Sequence, residues 1–484
     1  MNKIYLALIL LLTFESATVR AQNIFNIHDV IERAHLQSPA SKQIETQKET
    51  SYWQYRSFRT TYNPQLVLSG NAPTYSKQYV AVTQPDGSIA YQPINQTNPG
   101  INLGLLQPIR LTGGTISANT SLNYFNDVPS SFSQWNGTVM NVRLNQPLFA
   151  FNQFKWNKRI QPIIFEESKR SFVEQREYIS REVVSRFFEV LKAQVNLQIS
   201  SFNLANNDTI YKIEQGRYNI GTTSLDKLLQ VELQLLRSRQ EVAQARLDLQ
   251  TSSLQLRTFI GLKDGEEFRL IMPEEVPLFD VSTDEALHYA KQNRADYIAF
   301  ERKRIEAERD VAKAKGDRFS TSLNASYGLN NTAPNANGLY QSPQKQQTVN
   351  VGFNIPILNW GRNHAMMQTA FANKRLVDYT IAQDQVNFEQ TIITKVSQFE
   401  MLRLQIEITK KSDAVAQERY NVAQNRYLIG KIDITNLNIA LTEKDAAKRS
   451  YIDALKSFWT SYYDLRGLTL YDFSSKQMLY KAED

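Results

Sequence analysis

The feature that most constrains this chain is an internal duplication. Arg217-Tyr218-Asn219-Ile220-Gly221 matches Arg426-Tyr427-Leu428-Ile429-Gly430 at a shift of 209 residues, and the same shift carries Asn145-Gln146-Pro147-Leu148 onto Asn354-Ile355-Pro356-Ile357. A register held over more than 70 residues means that one unit is built twice. Nearer the N-terminus the shift is 256: Val30-Ile31 and Ala34 fall on Ala286-Leu287 and Ala290, and Leu66-Val67-Leu68 on Ser322-Leu323-Asn324. A shift of 256 against 209 gives the first copy 47 extra residues, which this alignment puts between about residues 70 and 140.

Each copy reads as helix, strands, long helix, reversal, helix. The expected divisions are a signal peptide over 1–21, a first repeat over 22–272, a second over 273–469 and a tail over 470–484. In the first repeat the opening helix runs from His28 to Arg59 and stops at Asn63-Pro64. Strands follow within 65–148, then a long helix over 150–220 that Pro162 should start or kink, then a return helix over 222–260. In the second repeat the helix spans 283–315, with Thr283 as N-cap and Gly316 as stop. Strands within 320–356, a long helix over 361–429 and a return helix over 432–466 complete it. The leader has Lys3, nine apolar residues from Ile4 to Leu12, and Val19-Arg20-Ala21 as a cleavage site; the apolar run is too short to span a membrane.

The strand regions alternate. Ile116, Ala118, Thr120, Leu122 and Tyr124 oppose Ser117, Asn119, Ser121 and Asn123, while Thr138, Met140, Val142 and Leu144 oppose Asn141, Arg143 and Asn145. Leu323, Ala325, Tyr327 and Leu329 oppose Ser322, Asn324, Ser326 and Gly328; Val349, Val351, Phe353 and Ile355 oppose Asn350, Gly352 and Asn354. Gly113-Gly114 signals a tight turn after Ile101–Leu111, and Asn330–Gln347 reads as a loop. One apolar and one small polar face suit a lipid-facing barrel wall or a soluble sandwich. Export, the Asn/Ser/Gly faces, and Trp135, Phe149, Phe151, Trp156 and Trp360 near strand ends favour the barrel.

The return helices carry a seven-residue seam: Leu228, Leu235, Val242, Leu249 and Leu256, with Val231, Ser238, Ala245, Ser252 and Phe259 three places on. Ala440, Ala447, Ala454 and Ser461 match it in the second copy, and small residues at that spacing let helix backbones approach closely. Gly221 and Gly430 sit where the chain must reverse, so both mark the tips of helical hairpins. Arg217 and Arg426 beside them either neutralise a helix dipole or take part in function.

Composition closes off other classes. The net charge of +7 is spread along the chain, which gives no sign of nucleic-acid binding, and there is no cysteine. Mean hydropathy is −0.43, too polar for a bundle of lipid-facing helices. His28, His35, His288 and His364 are scattered and read as solvated, so no metal site is expected. No phosphate loop, nucleophile elbow or metalloprotease motif occurs, and Glu166-Glu167 and Glu266-Glu267 are poorly placed for acid–base work. Neither catalysis nor a cofactor is expected.

The duplicated Arg-Tyr-x-x-Gly and Asn-x-Pro segments, in this order in an exported chain, resemble those of the TolC-like outer-membrane efflux protein family. The resemblance implies an all-α coiled-coil barrel plus a transmembrane antiparallel β-barrel, both closed by a homotrimer in outer-membrane lipid. It further implies a periplasmic adaptor and an inner-membrane pump as partners, so that the chain is the exit duct of a tripartite efflux or type I secretion system. The hairpin tips would form the periplasmic mouth, with Arg217, Tyr218, Asp226, Arg426, Tyr427 and Asp433 as gate contacts around Gly221 and Gly430, and Pro147 and Pro356 marking the strand-to-helix junctions. A coiled-coil scaffold or adhesin with soluble β regions is the alternative. Two departures stand out: Lys227 and Asn436 occupy the places where the family commonly has an acidic ring, and residues 65–148 hold enough strand for four segments rather than two. Three chains would then supply 18 strands instead of 12, unless one hairpin lies outside the wall.

Overall fold

The computed structural model describes residues 23–262, 268–273, 275–277, 279–318, 320–354 and 357–481. The leader, Glu266, Glu267, Ile355 and Pro356 lie outside these residues. The duplication is plain in the helices. The first copy has α1 (Ile27–Gln37), α2 (Pro39–Thr60), α3 (Gln153–Asn219) and α4 (Leu225–Ile260). The second has α5 (Thr283–Asn293), α6 (Ala295–Gly316), α7 (Arg362–Leu428) and α8 (Ile434–Thr469). Their lengths are 11, 22, 67 and 36 residues in both copies, so the extra residues lie wholly among the strands. At 1.5 Å per residue, α3 and α7 are each about 100 Å long. Pro162 lies inside α3, about two and a half turns from its start, and does not end it.

Each opening helix is two helices, not one. In the first copy Ser38 adopts an extended conformation ahead of Pro39, whose ring excludes helical geometry at the preceding residue. In the second copy the break falls at the equivalent Arg294, with Ala295 where the first has proline. Tertiary contacts replace the ring: Arg294 Nη1 donates to the Gly467 carbonyl at 2.8 Å, and Asn293 Nδ2 to that of Thr469 at 3.2 Å. One further expectation fails locally. Ser282, rather than Thr283, occupies the N-cap of α5 and makes no side-chain cap bond. Gly316 is the last helical residue of α6, held small by the Phe151 backbone nitrogen, which lies 2.8 Å from where its Cβ would stand.

The chain divides into two compact units. One comprises residues up to Gln47, Arg170–Arg294 and Phe388 onward; the other comprises Lys48–Lys169 and Ala295–Asn387. The first unit is helical, with two short additions. β1 (Asn23–Phe25) pairs in parallel with β8 (Phe268–Leu270), and β11 (Tyr471–Asp472) pairs with β12 (Gln477–Met478). Its core closes on Phe187, Phe188, Leu256, Ile392, Phe399 and Phe458, all buried. His35 sits against this core and is not solvated. Arg176 Nε donates to its Nδ1 at 3.1 Å, and its Nε2 lies 2.9 Å from Ser180 Oγ. Burial, then the Arg176 charge, pushes its pKa from 6.5 down to about 4. Between those values the unfolded chain binds a proton that the folded chain refuses. The contribution, about 2 kcal/mol after allowing for partial exposure, is therefore whole above pH 6.5 and lost as the pH falls to 4. Urea unfolding followed by circular dichroism should show this decline in stability, and His35→Gln should flatten it; an identical slope in the variant rules the histidine out as its source.

The second unit holds the strands: β2 (Gln65–Asn71), β3 (Tyr75–Thr83), β4 (Ile89–Thr97), β5 (Gly100–Pro108), β6 (Thr115–Asp127), β7 (Phe132–Leu148), β9 (Ser320–Ala333) and β10 (Gln344–Asn354). Six of them form one continuous antiparallel ladder in the order β2-β5-β6-β7-β9-β10. β3 and β4 pair with each other, and β4 touches the ladder only through Gln96–Asp127 and Thr97–Asn126. Residues 65–148 therefore contain six strands, four of them in the ladder. The second-copy hairpin β9–β10 corresponds to β6–β7, each preceding a long helix, so the extra segment is the β2–β5 excursion rather than a stretch starting near residue 70. β9 and β10 also run further into Asn330–Gln347 than a loop allows, because Asn330 pairs with Gln344 and Leu329 with Lys345.

Register sorts the side chains of the ladder into two faces. Leu66 opposes Leu105, then Ala118, Val142, Tyr327 and Gln347; Leu68 opposes Leu103 and then Thr120. Val349, Val351 and Phe353 continue this apolar face on β10 and are 75%, 56% and 75% exposed. The opposite face is lined by Asn102, Gly104, Ser117, Asn119, Asn141, Asn145, Asn324 and Asn350. Asn119 Nδ2 donates to Asn102 Oδ1 at 3.4 Å and Asn123 Nδ2 to Asn136 Oδ1 at 3.3 Å, so amides bridge neighbouring strands. Tyr124 and Trp135 meet at 5.0 Å toward the loop end of the ladder.

Candidate functional site

The expected gate residues lie where the long helices reverse, all within the helical unit. α3 ends at Asn219, and Gly221 takes a left-handed φ of +74°; α7 ends at Leu428, and Gly430 takes +73°. Such a φ costs an L-residue roughly 1–2 kcal/mol and glycine nothing. The reversal then captures the same acceptor in both copies. Thr222 N donates to the Arg217 carbonyl and Lys431 N to that of Arg426, each at 2.9 Å. Ser224 Oγ caps α4 by accepting from Lys227 N, and Asp433 caps α8 by accepting from both Asn436 N and Asn436 Nδ2 at 2.9 Å. A cap accepting the first free N–H groups is what starts each return helix.

The side chains break this symmetry. Glu214, buried on α3, accepts from Arg217 Nη1 at 2.6 Å and from Tyr427 Oη on α7 at 2.9 Å, and the Arg217 guanidinium stands 5.8 Å from the centre of the Tyr427 ring. Burial opposes the Glu214 charge, but hydrogen bonds from Tyr427, Arg217 and Thr223 outweigh it and hold its pKa below the usual carboxylate range. Burial and the bond to Glu214 push the Tyr427 hydroxyl up. At the 209-residue shift Ala423 replaces Glu214, so the second copy has no such cluster. Tyr427 is accordingly 4% exposed and its counterpart Tyr218 40%.

The structure thus joins Arg217 to Tyr427 and Asp433 to Asn436. Tyr218, Asp226, Lys227 and Arg426 are exposed at the tips, with Asp226 in the first turn of α4 where the helix dipole favours it. Pro147 lies in the β7–β9 ladder opposite Ser322.

Sequence reading missed Glu214 and the polar ladder above it. Asn203 Nδ2 donates to Asp445 Oδ2 at 2.7 Å, Asn206 Nδ2 to Tyr420 Oη at 3.1 Å, and Asn207 Nδ2 to Ser238 Oγ at 2.7 Å. With Ile210, Glu214 and Arg217 these asparagines recur three and four residues apart on α3, and that spacing is the signal that was available. Of the seam positions, Val231, Leu235, Ser238, Val242, Ala245 and Leu256 are buried, as are Ala440, Ala454 and Ser461.

Comparison with known proteins agrees with this architecture. The family model described as Outer membrane efflux protein matches residues 30–262 and 286–469. The CmeC outer membrane channel of Campylobacter jejuni superposes with a TM-score of 0.68 at 17% identity, over 95% of this chain and 87% of that one. VceC of Vibrio cholerae gives 0.64 at 14%, covering 92% and 96%, and the open-state MtrE channel of Neisseria gonorrhoeae gives 0.62 at 16%, covering 92% and 88%. At these identities the likeness is one of fold. No curated protein matches the chain.

Proposed function

The chain belongs to the outer membrane efflux protein family, and from that footing we propose that it is the exit duct of a tripartite efflux or type I secretion system. Three copies close one β-barrel in the outer membrane and one helical tunnel in the periplasm, an adaptor engages the hairpin tips, and an inner-membrane pump supplies the work. Substrates pass through a water-filled lumen without chemistry on this chain.

One observation carries the reading: a six-stranded antiparallel ladder that is apolar on one face, amide-rich on the other, and unpaired at both edges. Exposed hydrophobic area of this extent needs lipid or a partner to cover it. Free strand edges cannot stand in hydrocarbon, because every backbone group there must be paired. Among the described residues no helix is long and apolar enough to cross a membrane. Their even number leaves β10 running opposite to β2, so β10 of one copy can pair antiparallel with β2 of the next. Six strands from each of three copies make eighteen, and a barrel about half as wide again as one of twelve.

The two faces of β5 supply a test. Leu103→Arg places a charge against lipid at a cost on the order of 2 kcal/mol and should reduce the outer-membrane fraction whose gel mobility changes on boiling. Asn102→Arg, one residue away on the lumen face, should leave assembly intact and alter ion selectivity in planar bilayers. Equal tolerance of both would mean that β5 is not part of the wall.

Closure of the tunnel rests on the tips. Glu214 ties α3 to α7 through Tyr427, while Asp433 and Ser224 cap the return helices. The gate is therefore built on one hairpin pair, around Glu214, Arg217 and Tyr427, with Tyr218, Asp226, Lys227 and Arg426 presented outward to the adaptor.

A further inference from the structure

Where the strands give way to helices, the strand-bearing unit contains a cavity of about 830 Å3 between the end of α2, the start of α3 and the β5–β6 turn. Arg56, Arg59, Arg110 and Lys158 line it, and no carboxylate does. None of these four makes an ion pair among the described residues. The walls are aromatic: Tyr55 and Phe165 stack at 4.7 Å with their planes 2° apart, and the Arg110 guanidinium lies 4.5 Å over the Tyr62 ring.

The frame around the cavity is fixed by hydrogen bonds. Tyr62 Oη donates to the Phe154 carbonyl at 3.0 Å, and Gln107 Nε2 donates to that of Tyr62 at 3.0 Å. Asn152 Nδ2 donates to the carbonyls of Arg110 and Leu111 at 3.2 and 3.0 Å, which pins the turn carrying Arg110 onto the start of α3. Four like charges gathered in one concavity repel one another, and a bound anion relieves that cost. Three of the four are arginines, whose planar fork suits the oxygens of a phosphate.

We propose that this cavity binds a phosphate group, carried by a lipid headgroup or present as the free ion. The inference rests on the membrane reading above, which sets the cavity beneath the apolar face that ends at Leu105 on β5 and Ile116 on β6, at headgroup depth on the periplasmic side. Basic residues at that depth attract anionic headgroups, and the stacked rings offer the apolar flank that the glycerol and first methylenes of a lipid would cover. A lipid seated there links α2 to α3 at the point where the wall meets the tunnel.

Native mass spectrometry of the detergent-purified protein with phosphatidylglycerol tests this, with inorganic phosphate as competitor. The wild type should retain the lipid. Arg59→Gln with Lys158→Gln should weaken retention by at least about tenfold, the loss of one charge-assisted hydrogen bond, and Arg59→Lys with Lys158→Arg should restore it. Displacement by inorganic phosphate would support recognition of the phosphate group alone; resistance to it would support a lipid occupant. Equal retention by the wild type and the double glutamine variant overturns the inference. So does a wild type with heat-modifiable mobility that retains no lipid, and that result leaves the duct reading standing. A water-soluble monomer would overturn both.

Discussion

Channels carrying Glu214→Ala should spend far more time open than the wild type. The substitution removes two charge-assisted contacts, from Arg217 Nη1 at 2.6 Å and from Tyr427 Oη at 2.9 Å, and leaves the buried Tyr427 hydroxyl without an acceptor. Together these amount to roughly 3 kcal/mol, which moves a closed–open equilibrium by about a hundredfold. Tyr427→Phe removes only the contact between helices and should produce a smaller shift in the same direction. Because Ala423 stands at the equivalent place in the second copy, Tyr218→Phe should leave the opening unchanged. Single-channel recording in planar bilayers reads all three, and a Glu214→Ala channel as closed as the wild type would remove the gating role. The contact also has a definite acid limit. Glu214 is held below the usual carboxylate range, so its stabilisation is whole at neutral pH and is lost only as the pH falls through that lowered value.

Arg466→Leu should be the most damaging substitution in the helical unit. Its Nε stands 2.9 Å from Glu177 Oε2, Nη2 donates to Glu177 Oε1 at 3.2 Å, and Nη1 reaches Asp472 at 3.3 Å. The Glu177 side chain is 6% exposed, and burial already raises its pKa against the pull of Arg466. Removing the cation leaves a buried carboxylate with only the weaker pull of the Arg176 charge, a loss of about 3 kcal/mol. Replacing Glu177 by leucine as well takes away that charge and should recover much of the stability, since an apolar pair of similar size is often neutral. Urea unfolding distinguishes the cases: if the double variant is no better than Arg466→Leu, the penalty lies in lost packing and not in the stranded charge.

The duplication, the long and return helices and the alternation of the strands were legible because each is a periodic property of the chain itself. Leu323, Ala325 and Tyr327 must share a face whatever they pack against, and Gly221 and Gly430 must lie at reversals. What escaped notice depends on partners distant in sequence. Arg294 breaks a helix without a proline because Gly467 and Thr469 supply its contacts. His35 looked solvated because nothing local announces Arg176 and Ser180. Asn203, Asn206 and Asn207 were passed over because nothing local announces their partners, which lie on three other helices. Glu214 was passed over for the same reason, although it lies one turn before Arg217. The extra segment was recognised by its length but misplaced, because pairing rather than local resemblance shows that β6–β7 is the true counterpart of β9–β10.

A duct of this kind forms only if copies of this chain close each other's free edges. The sequence contains no cysteine, so pairs can be introduced without background. Cross-strand neighbours lie close enough for a disulfide. Cysteines at Val349, Val351 or Phe353 on β10, combined with one at Leu66 or Leu68 on β2, should yield covalent trimers in the outer membrane for at least one pairing. Covalent trimers formed only between β10 and Ile116 or Ala118 on β6, with β2 silent, or no cross-link in any pairing, would contradict the six-stranded contribution of each chain.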